Sequence, residues 1–184
     1  LLYDGGNGLG HVVSHDAMKK CLQKAQKSNI AIAAVKNSNH YGIAAYYAMM
    51  ALEKDMIGIS LTNSQPLVAP TYGRTAVLGT NPIAIAVPSY SEYPFVLDMA
   101  TSVVPIGRIK VFEQKGQNLP FGWGIDDEGN VTEDPKKVQS GGPGALMPLG
   151  GKDIMRGYKG YGLAAMVEIL CSALSGASYF TGVG

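Results

Sequence analysis

The sequence predicts a layered α/β protein, and three observations carry that prediction. Short apolar runs rich in β-branched residues alternate with segments whose apolar residues recur every three to four positions. The connections between successive runs are short, the arrangement of α/β units. Hydrophobic residues make up 46% of the 184 positions and charged residues 16%, enough to bury a core in one domain or a little more.

The elements follow in order. Gly5-Gly6-Asn7-Gly8-Leu9-Gly10 is turn-rich, and Ser14 then caps a helix whose apolar positions are Ala17, Met18, Cys21, Leu22 and Ala25. Residues 30–35 read as a buried strand. A helix rich in alanine and methionine over 43–52 leads to a second strand over 56–62, completing a βαβ unit. Residues 63–74 form a loop with two prolines, followed by short strands over 83–87 and 95–98. A helix starts near Pro105 and runs to Gln114. Periodicity is lost over 115–149, which is either a surface excursion or a lid, with an acidic turn at Asp126-Asp127-Glu128-Gly129-Asn130. The last helix begins near Gly160, carries Leu163, Met166, Val167, Leu170 and Leu174 on one side, and stops at Gly176.

Several function classes are disfavoured. A net charge of +1 gives no electrostatic case for nucleic acid. The apolar stretch 162–174 contains Glu168 and is too short to span a bilayer, and no leader pattern precedes it, so a cytoplasmic protein is the default. Cys21 and Cys171 sit among apolar residues in helical patterns and read as buried, reduced thiols. His11 and His15 lie one helical turn apart, but nothing completes a metal site, and none is expected. No G-x-S-x-G elbow supports a serine hydrolase, and neither G-x-G-x-x-G after a strand nor G-x-x-x-x-G-K-[ST] is present. A Rossmann site is therefore disfavoured.

The chemistry-bearing candidate is His40, in Asn37-Ser38-Asn39-His40-Tyr41-Gly42. That run falls between a predicted strand and a predicted helix, where open α/β sheets place their ligand crevices. An imidazole there is suited to moving a proton. Asn81 precedes a proline, which pushes it toward extended geometry. It either aims its amide at a substrate or at the imidazole, or it belongs to a rigid turn.

Three further strings accompany the histidine in order: Leu78-Gly79-Thr80-Asn81-Pro82, Leu97-Asp98-Met99-Ala100-Thr101, and Pro148-Leu149-Gly150-Gly151 followed by Tyr158-Lys159-Gly160-Tyr161-Gly162-Leu163. Together they resemble the malate/L-lactate dehydrogenase family, nicotinamide-dependent 2-hydroxyacid oxidoreductases unrelated to the Rossmann-type enzymes, over about residues 8–177. The resemblance implies a three-layer α/β/α fold with a mixed sheet and a non-Rossmann nicotinamide-binding site. It implies hydride transfer between NAD or NADP, with NAD favoured, and a 2-hydroxyacid/2-ketoacid pair, malate/oxaloacetate or lactate/pyruvate. His40 matches the family's proton acceptor, and Ser64, Asp98, Met99, Ala100 and Lys159 match cofactor contacts. Read without the family, Ser64 is a turn residue, Asp98 a helix cap and Lys159 a solvated lysine. The resemblance also implies a homodimer. It makes residues 1–184 the nicotinamide-binding core, a fragment lacking amino- and carboxy-terminal portions, the former supplying the arginines that hold the substrate carboxylate. The competing class is a non-catalytic ligand-binding or assembly domain that kept the fold.

Overall fold

The computed structural model describes residues 1–183 and is mixed α/β, the class the sequence predicts. The chain divides into two compact units. The first comprises Leu1–Thr62, Ile83–Met99 and Ile169–Ser178; the second comprises Asn63–Pro82, Ala100–Glu168 and the stretch from Tyr179.

In the first unit, β1 (Leu2–Gly8) pairs in parallel with β2 (Ala34–Ser38). The glycine-rich run predicted as a turn lies largely inside β1. Its turn character survives as a break in register between Asp4 and Gly8, with Gly6 and Asn7 at φ +56° and +57°. The strand predicted over 30–35 begins only at Ala34, where pairing with Leu2 starts, and Ile30 and Ile32 before it are 76% and 63% exposed. Between the strands, α1 (Gly10–Ser28) starts four residues ahead of Ser14. Gly10 makes that start possible, because a Cβ there would stand 2.0 Å from the Asn39 carbonyl oxygen. Asn29 ends the helix in the left-handed conformation, its N–H donating to Ala25 O at 2.7 Å.

Two antiparallel ladders join β3 (Gly58–Leu61), β4 (Ile83–Val87) and β5 (Phe95–Met99) in the order β3-β4-β5. Because β2 and β3 belong to different sheets, the predicted βαβ unit does not form. Its helix does: α2 (Ala44–Met49) lays Ala44, Ala45 and Ala48 against Ala84 and Ala86. Small residues permit this approach, and a Cβ on Gly58 would lie 2.0 Å from Ala48 O.

The larger core is in the second unit and includes Val68, Leu78, Val104, Ile109, Leu119 and Leu146. There α3 (Ile106–Gln114) starts after Pro105, as the sequence predicts. The aperiodic stretch 115–149 is not a structureless excursion. It holds β6 (Gly124–Ile125), β7 (Val131–Thr132), α4 (Pro135–Val138) and β8 (Ala145–Leu146), with sheet order β7-β6-β8. Strands of two residues are too short to show a period, which is why they escape sequence reading. The acidic turn joins β6 to β7, with Asp126 Oδ1 accepting from the N–H groups of Glu128 (3.1 Å) and Asn130 (2.9 Å).

Finally, α5 (Tyr158–Ser175) stops at Gly176, φ +71°, as predicted. Among the described residues no helix is long and apolar enough to cross a membrane. Both cysteines are half-buried, less enclosed than their apolar surroundings predict, and form no disulfide.

Candidate active site

In the first unit, the loop between β2 and α2 carries His40 exposed to solvent and fixes the residues around it. Asn39 Nδ2 donates to the carbonyl oxygens of Asn7 (2.7 Å) and Gly8 (3.0 Å), and Asn37 Nδ2 donates to both Asp4 carboxylate oxygens. Gly10 presses on the loop from the start of α1, since its missing Cβ would stand 2.5 Å from His40 O. Gly42, at φ +85°, leaves room for the His11 ring; a Cβ there would be 2.7 Å from His11 Nε2. The Gly42 N–H donates to His40 Nδ1 at 3.1 Å. A neutral imidazole bonded in this way is an acceptor at Nδ1 and carries its hydrogen on Nε2.

Tyr41 is turned inward. Its ring stacks on Tyr47 with centroids 4.8 Å apart, its carbonyl accepts from the Tyr47 hydroxyl, and its own hydroxyl lies 3.3 Å from Ser60 Oγ. Burial pushes the Tyr41 phenol well above the ordinary tyrosine value, so it stays protonated and His40 is the group of the pair suited to proton transfer. Asp98, at the end of β5, accepts from the Ala45 N–H at 3.1 Å through Oδ2. It therefore stabilises the start of α2, the helix that follows the histidine loop. Met99 is the last residue of β5 and pairs with Ile83.

In the second unit, Thr80, Asn81 and Thr101 of the strings take part in a buried polar cluster. Asn81, fully buried, accepts from the Ser64 N–H through Oδ1 (3.1 Å). Its Nδ2 donates to Ala164 O (3.0 Å) and Glu168 Oε2 (2.8 Å). The Thr80 N–H donates to Ser64 Oγ (3.0 Å), and Thr101 Oγ1 donates to Thr80 O and Asn81 O, each at 3.1 Å. These bonds overrule the local effect of Pro82. Asn81 is not extended but has φ +35°, a conformation that side-chain-bearing residues rarely adopt. Gly79 is indispensable to the packing, because a Cβ there would meet Ser64 Oγ at 2.3 Å and Ser64 O at 2.4 Å.

Ser64 is thus half-buried with its hydroxyl held in place. Ala100 adjoins Thr101, whose carbonyl accepts from the Leu149 N–H at 2.9 Å. A Cβ on Gly160 would lie 2.2 Å from Leu149 O, and the exposed Lys159 immediately precedes that contact. Ser64, Ala100 and Lys159 lie within this unit, while His40, Asp98 and Met99 belong to the other.

Sequence reasoning missed Glu168 as a polar hub. It is 1% exposed and accepts from Asn63 Nδ2 (3.1 Å), Asn81 Nδ2 (2.8 Å) and the Phe180 N–H (2.9 Å). The available signal was its isolation, as the single charged residue in the apolar run 162–174. Two surface clefts, of about 660 Å³ beside His15, Tyr46 and Glu53 and about 340 Å³ beside Thr71, Arg74 and Lys152, are lined by none of the predicted site residues. The candidate loops combine close backbone packing, positive φ and chemically competent side chains.

The family model for malate/L-lactate dehydrogenase matches residues 1–184. Malate dehydrogenase of Pyrococcus abyssi is 55% identical over 179 residues, 97% of this chain and 49% of the relative. Malate/(S)-sulfolactate dehydrogenase of Methanothermus fervidus is 42% identical over 97% of this chain and 50% of the relative. The crystal structure of malate dehydrogenase from Entamoeba histolytica matches with a TM-score of 0.91 at 38% identity, covering 98% of this chain and 52% of that one. The chain therefore spans about half the length of the relatives it matches. Matched from end to end by the family model, it belongs to the malate/L-lactate dehydrogenase family.

Proposed function

We propose that the full-length protein carrying this chain is an NAD(P)-dependent 2-hydroxyacid dehydrogenase that interconverts malate and oxaloacetate, with His40 as its acid and base. The observation that carries the reading is an exposed imidazole on a loop fixed from several sides, in a chain 55% identical to a protein named malate dehydrogenase.

The donor set is chemically suited to a nicotinamide dinucleotide. Lys159 offers a point charge for a phosphate, Asp98 an acceptor for a ribose hydroxyl, Ser64 a fixed hydroxyl, and Met99 and Ala100 backbone groups at a strand end. A bound nicotinamide supplies the hydride acceptor. His40 takes the substrate's hydroxyl proton at Nδ1, exchanging the Gly42 N–H bond for it, as the C2 hydride departs. In the reverse direction the imidazolium returns that proton to the carbonyl oxygen. NAD is favoured over NADP, a homodimer is the assembly the resemblance implies, and cysteines without a disulfide fit a reducing cytoplasm.

The test is NADH fluorescence on mixing the full-length protein with oxaloacetate and then pyruvate, wild type against His40→Ala. Oxidation should fall by about two orders of magnitude or more in the variant, the scale of a lost general acid, while NADH binding survives. Binding of neither NADH nor NADPH by the wild type would refute the dehydrogenase reading. Binding with no turnover of either ketoacid would refute the substrate.

A further inference from the structure

Among the buried groups with no part in the chemistry above, Glu168 stands out by its connections. A carboxylate only accepts hydrogen bonds, and the protein surrounds this one with donors: Asn63 Nδ2 and the Phe180 N–H on Oε1, Asn81 Nδ2 on Oε2. That polarity propagates. With its NH2 committed to Glu168 and Ala164 O, Asn81 must turn Oδ1 the other way, toward the Ser64 N–H. Turning the Asn81 amide over would set donor against donor at Ser64 and acceptor against acceptor at both Glu168 and Ala164. The Ser64 hydroxyl is then fixed in turn by the Thr80 N–H.

We propose that Glu168 is a positioning residue that sets the direction of this hydrogen-bond chain and so holds the Ser64 hydroxyl in the orientation the nicotinamide cofactor meets. The proposal rests on the reading of Ser64 as a cofactor contact. Asn81 at φ +35° ahead of Pro82 fits this role, since a strained residue persists only where surrounding bonds determine it. Gly79 fits it too, as the one residue type that lets Ser64 and Asn81 close on each other.

The decisive variant is Glu168→Gln in the full-length protein. Gln has the same shape, but its NH2 must face a donor, either Asn81 Nδ2 or the pair on Oε1. Two readouts are taken, NADH affinity and amide hydrogen exchange at Ser64, with Ser64→Ala and the double variant alongside. The expected result is an NADH Kd raised roughly tenfold, about one decade of binding. Ser64 exchange should be faster by a similar factor, and kcat at saturating NADH should change by less than about threefold. Because Glu168 acts through Ser64, the double variant should lose no more NADH affinity than Ser64→Ala alone. Unchanged Ser64 exchange in a folded Glu168→Gln, or fully additive losses of affinity, would overturn the proposal. Unchanged affinity in Ser64→Ala would instead overturn the reading of Ser64 on which it rests. Should Glu168→Gln fail to fold, the wild type decides. The Ser64 and Thr80 amides, outside any helix or strand, must exchange slowly, and fast exchange at both refutes the chain of bonds.

Discussion

Asp98 is asked to do two things, and substitution separates them. Its Oδ2 accepts from Ala45 N–H at 3.1 Å, supporting the first turn of a helix only six residues long, and the proposed function gives Oδ1 a ribose hydroxyl to accept from. Asp98→Asn keeps one oxygen, which follows the Ala45 N–H, and replaces the other with a donor. Asp98→Ala removes both. An acceptor at a helix start contributes about 1 kcal/mol, so in Asp98→Ala the Ala45 amide should exchange roughly fivefold faster, and in Asp98→Asn nearly as slowly as in wild type. A hydrogen bond to a charged acceptor contributes about 1.5–3 kcal/mol. At 1.4 kcal/mol per decade the NADH Kd should then rise roughly 10- to 100-fold in Asp98→Ala. It should rise about 3- to 10-fold in Asp98→Asn, where a neutral bond can replace the charged one. The assay is NADH fluorescence titration of the full-length protein beside residue-resolved exchange. Wild-type affinity in Asp98→Ala together with fast Ala45 exchange would reduce Asp98 to a cap. Slow exchange in that variant would refute the helix contact itself.

Three further outcomes are expected. Gly10→Ala drives a Cβ to 2.0 Å from Asn39 O and 2.5 Å from His40 O, so the histidine loop must move. Stability should fall by about 1–3 kcal/mol and turnover by roughly tenfold or more, read by thermal melting and NADH oxidation. Gly162→Ala, inside α5 with nothing within 4 Å, should instead stabilise by about 0.5–1 kcal/mol. For pH, the Gly6 N–H, then Asn37 and Lys36, hold the Asp4 carboxyl below its ordinary 3.8. The folded value lies below the unfolded one, so the stabilisation is complete above the unfolded value and fades as pH falls through the folded one. A carboxyl NMR titration should place Asp4 below 3.8, and a midpoint at or above it would refute the hydrogen bonds that Gly6 and Asn37 of β2 make to it.

What could be read in advance was what is decided locally. Pro105 before α3 and Gly176 after α5 work through their own φ, so they mark helix ends without reference to the rest of the chain. The strand 83–87 was legible because its alternation reflects one face packed on α2. The start of β2 was not, since it is set by pairing with residues more than thirty positions away in β1. Nor was the conformation of Asn81, where Pro82 argued for an extended residue and four long-range hydrogen bonds to its amide and carbonyl prevailed. Within each unit, the residues that hold the candidate loops in place, such as Gly10 beside His40 and Glu168 beside Asn81, lie outside the chemistry that drew attention to those loops.

That division of labour explains the composition of the strings. In Asn37-Ser38-Asn39-His40-Tyr41-Gly42 one residue is suited to moving a proton, while two asparagines, a half-buried tyrosine ring and a glycine determine where it stands. In Leu78-Gly79-Thr80-Asn81-Pro82 the Asn81 amide and the Thr80 N–H are spent on the fold, and the side chain they hold, Ser64, lies outside the string. Loops have no ladder to satisfy their backbone groups, so a loop that must hold a reactive side chain still needs dedicated acceptors, donors and gaps for close approach. Substitution at these supporting positions should therefore act chiefly on how well the reacting groups are placed, and misplacement of about 1 Å is enough to cost roughly two orders of magnitude in rate.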